Sequence, residues 1–168
     1  ASTPHKGKNS LLGAAKLILA LEELNERFDL IDNLFRPPVS TFAPTKNEGN
    51  VPNINTIPGK NIFYVDCRIL PQHSVDEVVT ISREIAASIS AETDLKIDVE
   101  PVYRQDAATP TSPDAAVVKA LTGAIKKVTG KQGKPMGIGG GTVAAIFRKE
   151  GLPAAVWSTC PDSAHQPN

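Results

Sequence analysis

Between Asn9 and Phe28 the apolar residues Leu11, Ala14, Ala15, Ile18, Leu21, Leu24 and Phe28 recur on one side of a 3.6-residue repeat, which predicts a helix over 9–28. Asn9 or Ser10 supplies its cap. Pro37-Pro38 forces an extended entry into VSTFA, a predicted strand over 39–43. The next stretch, KNEGNVPNINTIPG, is rich in Asn, Gly and Pro and reads as loop. It feeds KNIFYVDCRIL, where the period changes to two. Phe63, Val65, Cys67 and Ile69 share one face; Tyr64, Asp66 and Arg68 share the other. The first set can cover a core, so the second must look at solvent, a partner or a substrate.

Ser74-Val75-Asp76-Glu77 is a capping-box sequence. It opens a predicted helix with the stripe Val78, Ile81, Ile85 and Ile89. LKIDVEPV alternates Leu95, Ile97 and Val99 and reads as a strand that ends, or forms an edge, at Pro101. Up to about residue 104 the order is helix, strand, strand, helix, strand. With one strand ahead of Ala1 it becomes βαββαβ, a ferredoxin-like two-layer unit with both helices on one sheet face.

RQDAATPTSPDAA, around Arg104 to Ala116, is the best linker, and Ser112-Pro113 sets up a helix start. Val117, Val118, Leu121, Ile125 and Val128 line one face of that helix, and Gly130 stops it. KPMGIGGG reads as a short strand, TVAAIFRKEG as a helix and LPAAVWS as a buried strand. This αβαβ rhythm predicts a piece of a parallel-sheet domain. About sixty residues are too few to close such a sheet, so the rest is expected upstream and the chain is expected to be a fragment.

Composition narrows the function classes. Eighteen basic and eighteen acidic residues cancel, so no electrostatic footprint points to nucleic acid or to an anionic membrane. No apolar run reaches the ~20 residues that span a bilayer. Cys67 and Cys160 are too few for a disulfide framework and are expected to be buried free thiols of a reducing, cytoplasmic compartment.

Four places carry candidate chemistry. GIGGGT, Gly137 to Thr142, lies between a predicted strand and a predicted helix, where backbone N–H groups can meet an anion. It fits neither GxGxxG nor a loop followed by Lys-Ser/Thr. It is either a tight turn with Thr142 as cap or an anion loop, and the geometry suits a carboxylate or amide oxygen as well as a phosphate. Arg68 can fork onto a substrate carboxylate, or pair with Asp66 or a neighbouring-strand acid. Asn55 is loop filler or a hydrogen-bond donor. His165 is a polar-loop histidine that is either surface or ligand, and one imidazole does not hold zinc, which wants three or four protein ligands. His5 and His73 have no evident partner.

Together, ASTPHKGKN, NTIPG with Arg68 thirteen residues after Asn55, GGGT, and AHQPN resemble, in order and spacing, the zinc-dependent aminoacylase and deacylase peptidases. That family includes acetylornithine deacetylase, succinyl-diaminopimelate desuccinylase and carboxypeptidase G. The resemblance implies a βαββαβ lid, 1–107, that commonly makes a homodimer, followed by a return into an α/β catalytic domain, 108–168. It implies two zinc ions in the intact parent, with cobalt or manganese as substitutes, and none bound by this fragment alone. His165 would be a metal ligand. Arg68 and Asn55 would bind the substrate carboxylate and polarise the scissile carbonyl, across the dimer in one arrangement. Gly139, Gly140, Gly141 and Thr142 would line the pocket. The implied substrate is an N-acyl amino acid or small peptide with a free carboxylate, hydrolysed at its amide bond by metal-activated water. The chain departs from the family where Val143-Ala144-Ala145 stands in place of an Asp, and where the lid histidine is missing before Ala1; no HxD or paired Glu-Glu occurs in a suitable context. A non-catalytic dimerisation or small-molecule-binding module is the alternative class.

Overall fold

The computed structural model describes residues 2–49 and 51–158. The chain divides into two compact units on either side of the Asp106–Ala107 bond.

The first unit is α+β. A short 3-10 turn, Pro4–Lys6, precedes α1, Ser10–Ala20, and α2, Glu23–Arg27. Asn9 is the cap: its side chain accepts hydrogen bonds from the backbone N–H groups of Leu11 and Leu12. The expected single helix over 9–28 is broken at Leu21-Glu22, where the N–H of Glu22 donates to the carbonyl of Leu19 instead of continuing the i−4 ladder. The apolar stripe runs through the break undisturbed.

Strand β1, Thr41–Gly49, pairs antiparallel with β2, Asn61–Arg68. The loop expected from Lys46 therefore starts later, because Lys46, Asn47 and Glu48 find partners on β2. Their register shifts between Pro44 and Lys46, leaving Thr45 as an extra residue that re-aims the alternation beyond it.

Helix α3, Val75–Thr93, follows. Ser74 occupies its cap position with extended backbone but makes no side-chain cap bond, so the expected capping box does not form. Leu17, Leu21, Leu24 and Phe28 meet Phe42 from β1 and Val78, Ile85 and Ala86 from α3 in one buried cluster. Phe63, Val65, Ile69, Ile97 and Val99 pack against it. Helices thus cover one face of the hairpin. Cys67 departs from the expected burial: it is exposed. Cys160 lies outside the described residues.

The segment after α3 keeps its sequence alternation, with Leu95, Ile97 and Val99 half-buried between exposed neighbours. It forms no strand among the described residues, because a strand exists by pairing and the hairpin is the whole described sheet. Side chains hold it in place instead. Arg83 donates from Nε to the carbonyl of Val99 at 3.3 Å, Ser90 donates to the carbonyl of Leu95 at 2.5 Å, and a Leu95 methyl occupies the space above Gly13 of α1. Further along, Arg104 reaches back to Asp76 in the first turn of α3 and pairs with its neighbour Asp106.

The second unit holds α4, Ala116–Thr129, and α5, Val143–Lys149. Gly130 ends α4 in the left-handed conformation, φ 72°, as its place after the stripe predicts. Neither expected strand forms among the described residues. Thr111 Oγ1 donates to the carbonyl of Ala154 and accepts from its N–H, at 2.8 and 3.0 Å, so a side chain takes the place of a strand neighbour. Val118, Ala144 and Ala145 are buried, while Val128, Val143, Ile146, Leu152, Val156 and Trp157 are exposed. A parallel-sheet strand needs neighbours and helices on both faces, and the described residues of this unit form too few elements to provide them.

Candidate functional site

The face of the hairpin turned away from the helices carries polar and charged side chains of the two strands. Period-two alternation places Ile62, Tyr64, Asp66 and Arg68 of β2 there, and the register sets Glu48, Lys46, Ala43 and Thr41 opposite them. Were Thr45 paired in regular alternation and not bulged, Lys46 and Glu48 would point the other way.

Two polar groups divide this face. Towards the loop end, Lys46 Nζ lies 2.6 Å from Glu48 Oε1 and 5.1 Å from the Tyr64 ring centre, and Tyr64 donates from its hydroxyl to Glu48 at 3.2 Å. The hydrogen bond between Lys46 and Glu48, and secondarily their opposite charges, raises the lysine pKa and lowers the glutamate's.

At the far end, Arg68 donates from Nε to Asp66 Oδ2 at 2.6 Å. The side chains are 52% and 45% exposed, so the pair contributes only about 0–1 kcal/mol to stability. Asp66, one of the partners the sequence allowed Arg68, does pair with it; directly across the strand stand the small Thr41 and Ala43. The backbone beneath is fixed: the N–H of Leu70 donates to the buried Ser40 hydroxyl at 3.0 Å.

Asn55 is exposed in the loop joining the strands, whereas Arg68 ends β2 opposite Thr41 at the start of β1. The loop that carries Asn55 joins the strands at the Gly49–Asn61 end of the hairpin, and Arg68 lies at the other end of β2. Gly139, Gly140, Gly141 and Thr142 belong to the other unit. Gly140 is exposed, and Thr142 holds the N-cap position of α5 with extended backbone but no side-chain cap bond. His165 lies outside the described residues. His73, without evident partner in the sequence, stands edge-on to Phe28 with ring centres 5.0 Å apart, a packing role. Among the described residues no cluster of three or more His, Cys, Asp or Glu can hold a metal ion, so they do not form a metal site. None of the helices searched is long and apolar enough to cross a membrane.

The Lys46–Tyr64–Glu48 group went unrecognised in the sequence because Pro44 hides the continuation of β1. The signal that finds it is Lys46 and Glu48 alternating two residues apart beyond Pro44, once a bulge is allowed.

The family model of the peptidase dimerisation domain of M20 type matches residues 1–94, and the chain belongs to that family. It is 38% identical over 99% of its length to an uncharacterised metallohydrolase of Methanococcus maripaludis, covering 43% of that protein. Identity to a second uncharacterised metallohydrolase, from Methanocaldococcus jannaschii, is 37%, again over 99% of this chain and 43% of the relative. A succinyl-diaminopimelate desuccinylase of Dinoroseobacter shibae is 31% identical over 97% of the chain and 41% of its own length. The chain thus spans less than half the length of these relatives.

Proposed function

We propose that the chain is the substrate-recognition and dimer-forming part of a metal-dependent amidohydrolase that acts on N-acyl amino acids or small peptides with a free carboxylate. The observation that carries this reading is the similarity, along nearly the whole chain, to two metallohydrolases and a desuccinylase. Residues 1–107 form the lid, through which two copies associate. Its four-stranded βαββαβ sheet is completed by a strand of the longer polypeptide lying beside Leu95–Val99. Residues 108–168 belong to a cytoplasmic enzyme's catalytic domain, a reading supported by the apolar side chains the second unit leaves exposed.

Arg68 binds the substrate carboxylate through its planar donor fork. Asn55 donates to the scissile carbonyl oxygen, across the dimer from Arg68 in one arrangement. The Gly139-Gly140-Gly141-Thr142 loop lines the pocket. The metal, two zinc ions in this reading with cobalt or manganese as substitutes, is held with help from His165. The described residues supply no metal cluster, and no step of the hydrolysis is assigned to them.

The test is hydrolysis of a panel of N-succinyl and N-acetyl amino acids and dipeptides by the zinc-loaded full-length protein, beside the 168-residue chain. Turnover by the full-length protein and none by the chain is expected. Amide hydrolysis by the chain alone, or none by the full-length protein, overturns the reading.

A further inference from the structure

We propose that Ser10 is a positioning residue for Asn55: the first turn of α1 holds the loop that carries Asn55 and sets where its amide can reach. The inference rests on the reading of Asn55 as the donor to the scissile carbonyl.

Two phrases of the sequence, ASTPHKGKN and NTIPG, meet at this point. A helix leaves its first N–H groups without partners of its own. In α1 the side chain of Asn9 accepts from the N–H groups of Leu11 and Leu12, and its backbone carbonyl accepts from that of Gly13. The N–H of Ser10 donates instead to the carbonyl of Pro58, forty-eight positions along the chain, at 3.0 Å. The Ser10 hydroxyl donates to the same oxygen at 2.8 Å. A carbonyl oxygen has two lone pairs, and one residue of α1 engages both.

Ile57 adds an apolar hold. It is half-buried, and a Cβ at Gly7 would stand 3.3 Å from its Cδ1, so the bare Gly7 lets Ile57 lie close to the chain ahead of α1. Asn53 to Thr56 are exposed by contrast, in a turn where the N–H of Thr56 donates to the carbonyl of Asn53 at 3.4 Å. Asn55 lies three residues from the anchored Pro58, at most about 10 Å along an extended chain. Its side chain is exposed, so the aim of its amide follows from the backbone that carries it.

Two bonds hold that backbone differently from one. With the Ser10 N–H alone the loop stays attached but can turn about a single contact; the hydroxyl adds a second direction. A donor misplaced by about 1 Å at a reacting group costs up to about a hundredfold in rate. The hydroxyl matters little to the helix itself, because Asn9 is the cap and alanine is a good helix former at position 10. Its consequence falls on the loop.

The test uses the full-length enzyme with an amide substrate that the wild type hydrolyses. Ser10→Ala is expected to lower kcat about tenfold with KM changed less than about twofold, because a donor to the scissile carbonyl acts mainly in the transition state. The melting temperature should stay near that of the wild type. In an Asn55→Ala background the same substitution should add nothing, and Ser10→Thr, which keeps the hydroxyl, should retain most of the rate. Equal losses with and without Asn55 overturn the positioning role and leave the reading of Asn55 standing. If Asn55→Ala leaves kcat and KM unchanged, that reading falls and takes the positioning role with it. A readout free of catalysis comes from the 168-residue chain labelled with 15N. Ser10→Ala should lower the heteronuclear NOE of the Asn55 and Ile57 amides, a sign of faster loop motion, while the values along α3 stay in place. Unmoved values at Asn55 and Ile57 sink the proposal.

Discussion

The hydroxyl of Ser40 and the backbone N–H of Leu70, thirty residues apart, form a buried 3.0 Å hydrogen bond just beyond the last pair of the hairpin. Ser40 is 3% exposed, a buried polar residue among the described residues of the first unit. Leu70 closes the segment that carries Arg68. Ser40→Ala leaves the Leu70 N–H buried without its partner and is expected to cost about 1–3 kcal/mol. Urea unfolding of the chain measures it as a lower midpoint; an unchanged midpoint contradicts this role.

Leu24 is the most buried large side chain of the core, 1% exposed, and joins α2 to both α3 and β1. Leu24→Ala opens a cavity that helix ends tied into loops on both sides cannot close. A loss of about 3 kcal/mol is expected, read from the same unfolding curves.

Two glycines of the second unit should respond differently to alanine. Gly130 has φ 72°, where a Cβ is strained, so Gly130→Ala is expected to cost about 1 kcal/mol. Gly140 shows no such φ, and a Cβ there meets nothing within 4 Å. Gly140→Ala should leave the melting temperature unchanged, and any effect should be confined to KM in the full-length enzyme. A destabilised Gly140→Ala variant would show that this loop is held more tightly than its surroundings indicate.

Asp76 has its pKa lowered, first by the hydrogen bond from Arg104 and then by that residue's charge. A depressed folded-state value means the stabilisation is present above the ordinary aspartate value of 3.8 and disappears as pH falls through the lower, folded one. Arg104→Gln should therefore return the Asp76 carboxylate towards 3.8 and remove that part of the acid dependence. Carbon-detected NMR titration of the carboxylate checks both. An Asp76 titration that Arg104→Gln leaves in place would assign the shift to another group.

Local periodicity made the helices and the two faces of β2 readable, because both signals lie within a few residues of each other. The stripe Val78, Ile81, Ile85 and Ile89 predicts α3, and alternation places Arg68 outward before any partner is known. Pairing is different in kind. The alternation of Lys46 and Glu48 is local, but that β1 passes through Pro44 with a bulge follows from residues some eighteen positions away on β2. Leu95–Val99 carries the pattern of a strand, yet a pattern does not supply a neighbour. The same holds for Lys134–Ile138 and Leu152–Ser158 in the second unit. The break at Leu21-Glu22 escapes the stripe because a change in hydrogen-bond spacing leaves the apolar side chains on one side. Of the candidate site, the face and exposure of Arg68 were legible, whereas what stands directly across the strand from it, Thr41, depended on the register.

Gly13 and Leu95 impose a rule on how this chain can vary. The methyl of Leu95 stands where the side chain of any other residue at position 13 would begin. The two positions share one small volume, so an alanine at position 13 needs the Leu95 methyl, the far end of a flexible side chain, to swing aside, or a shorter residue at position 95. A contact of one methyl group thereby couples the choice of side chain at two positions eighty-two residues apart.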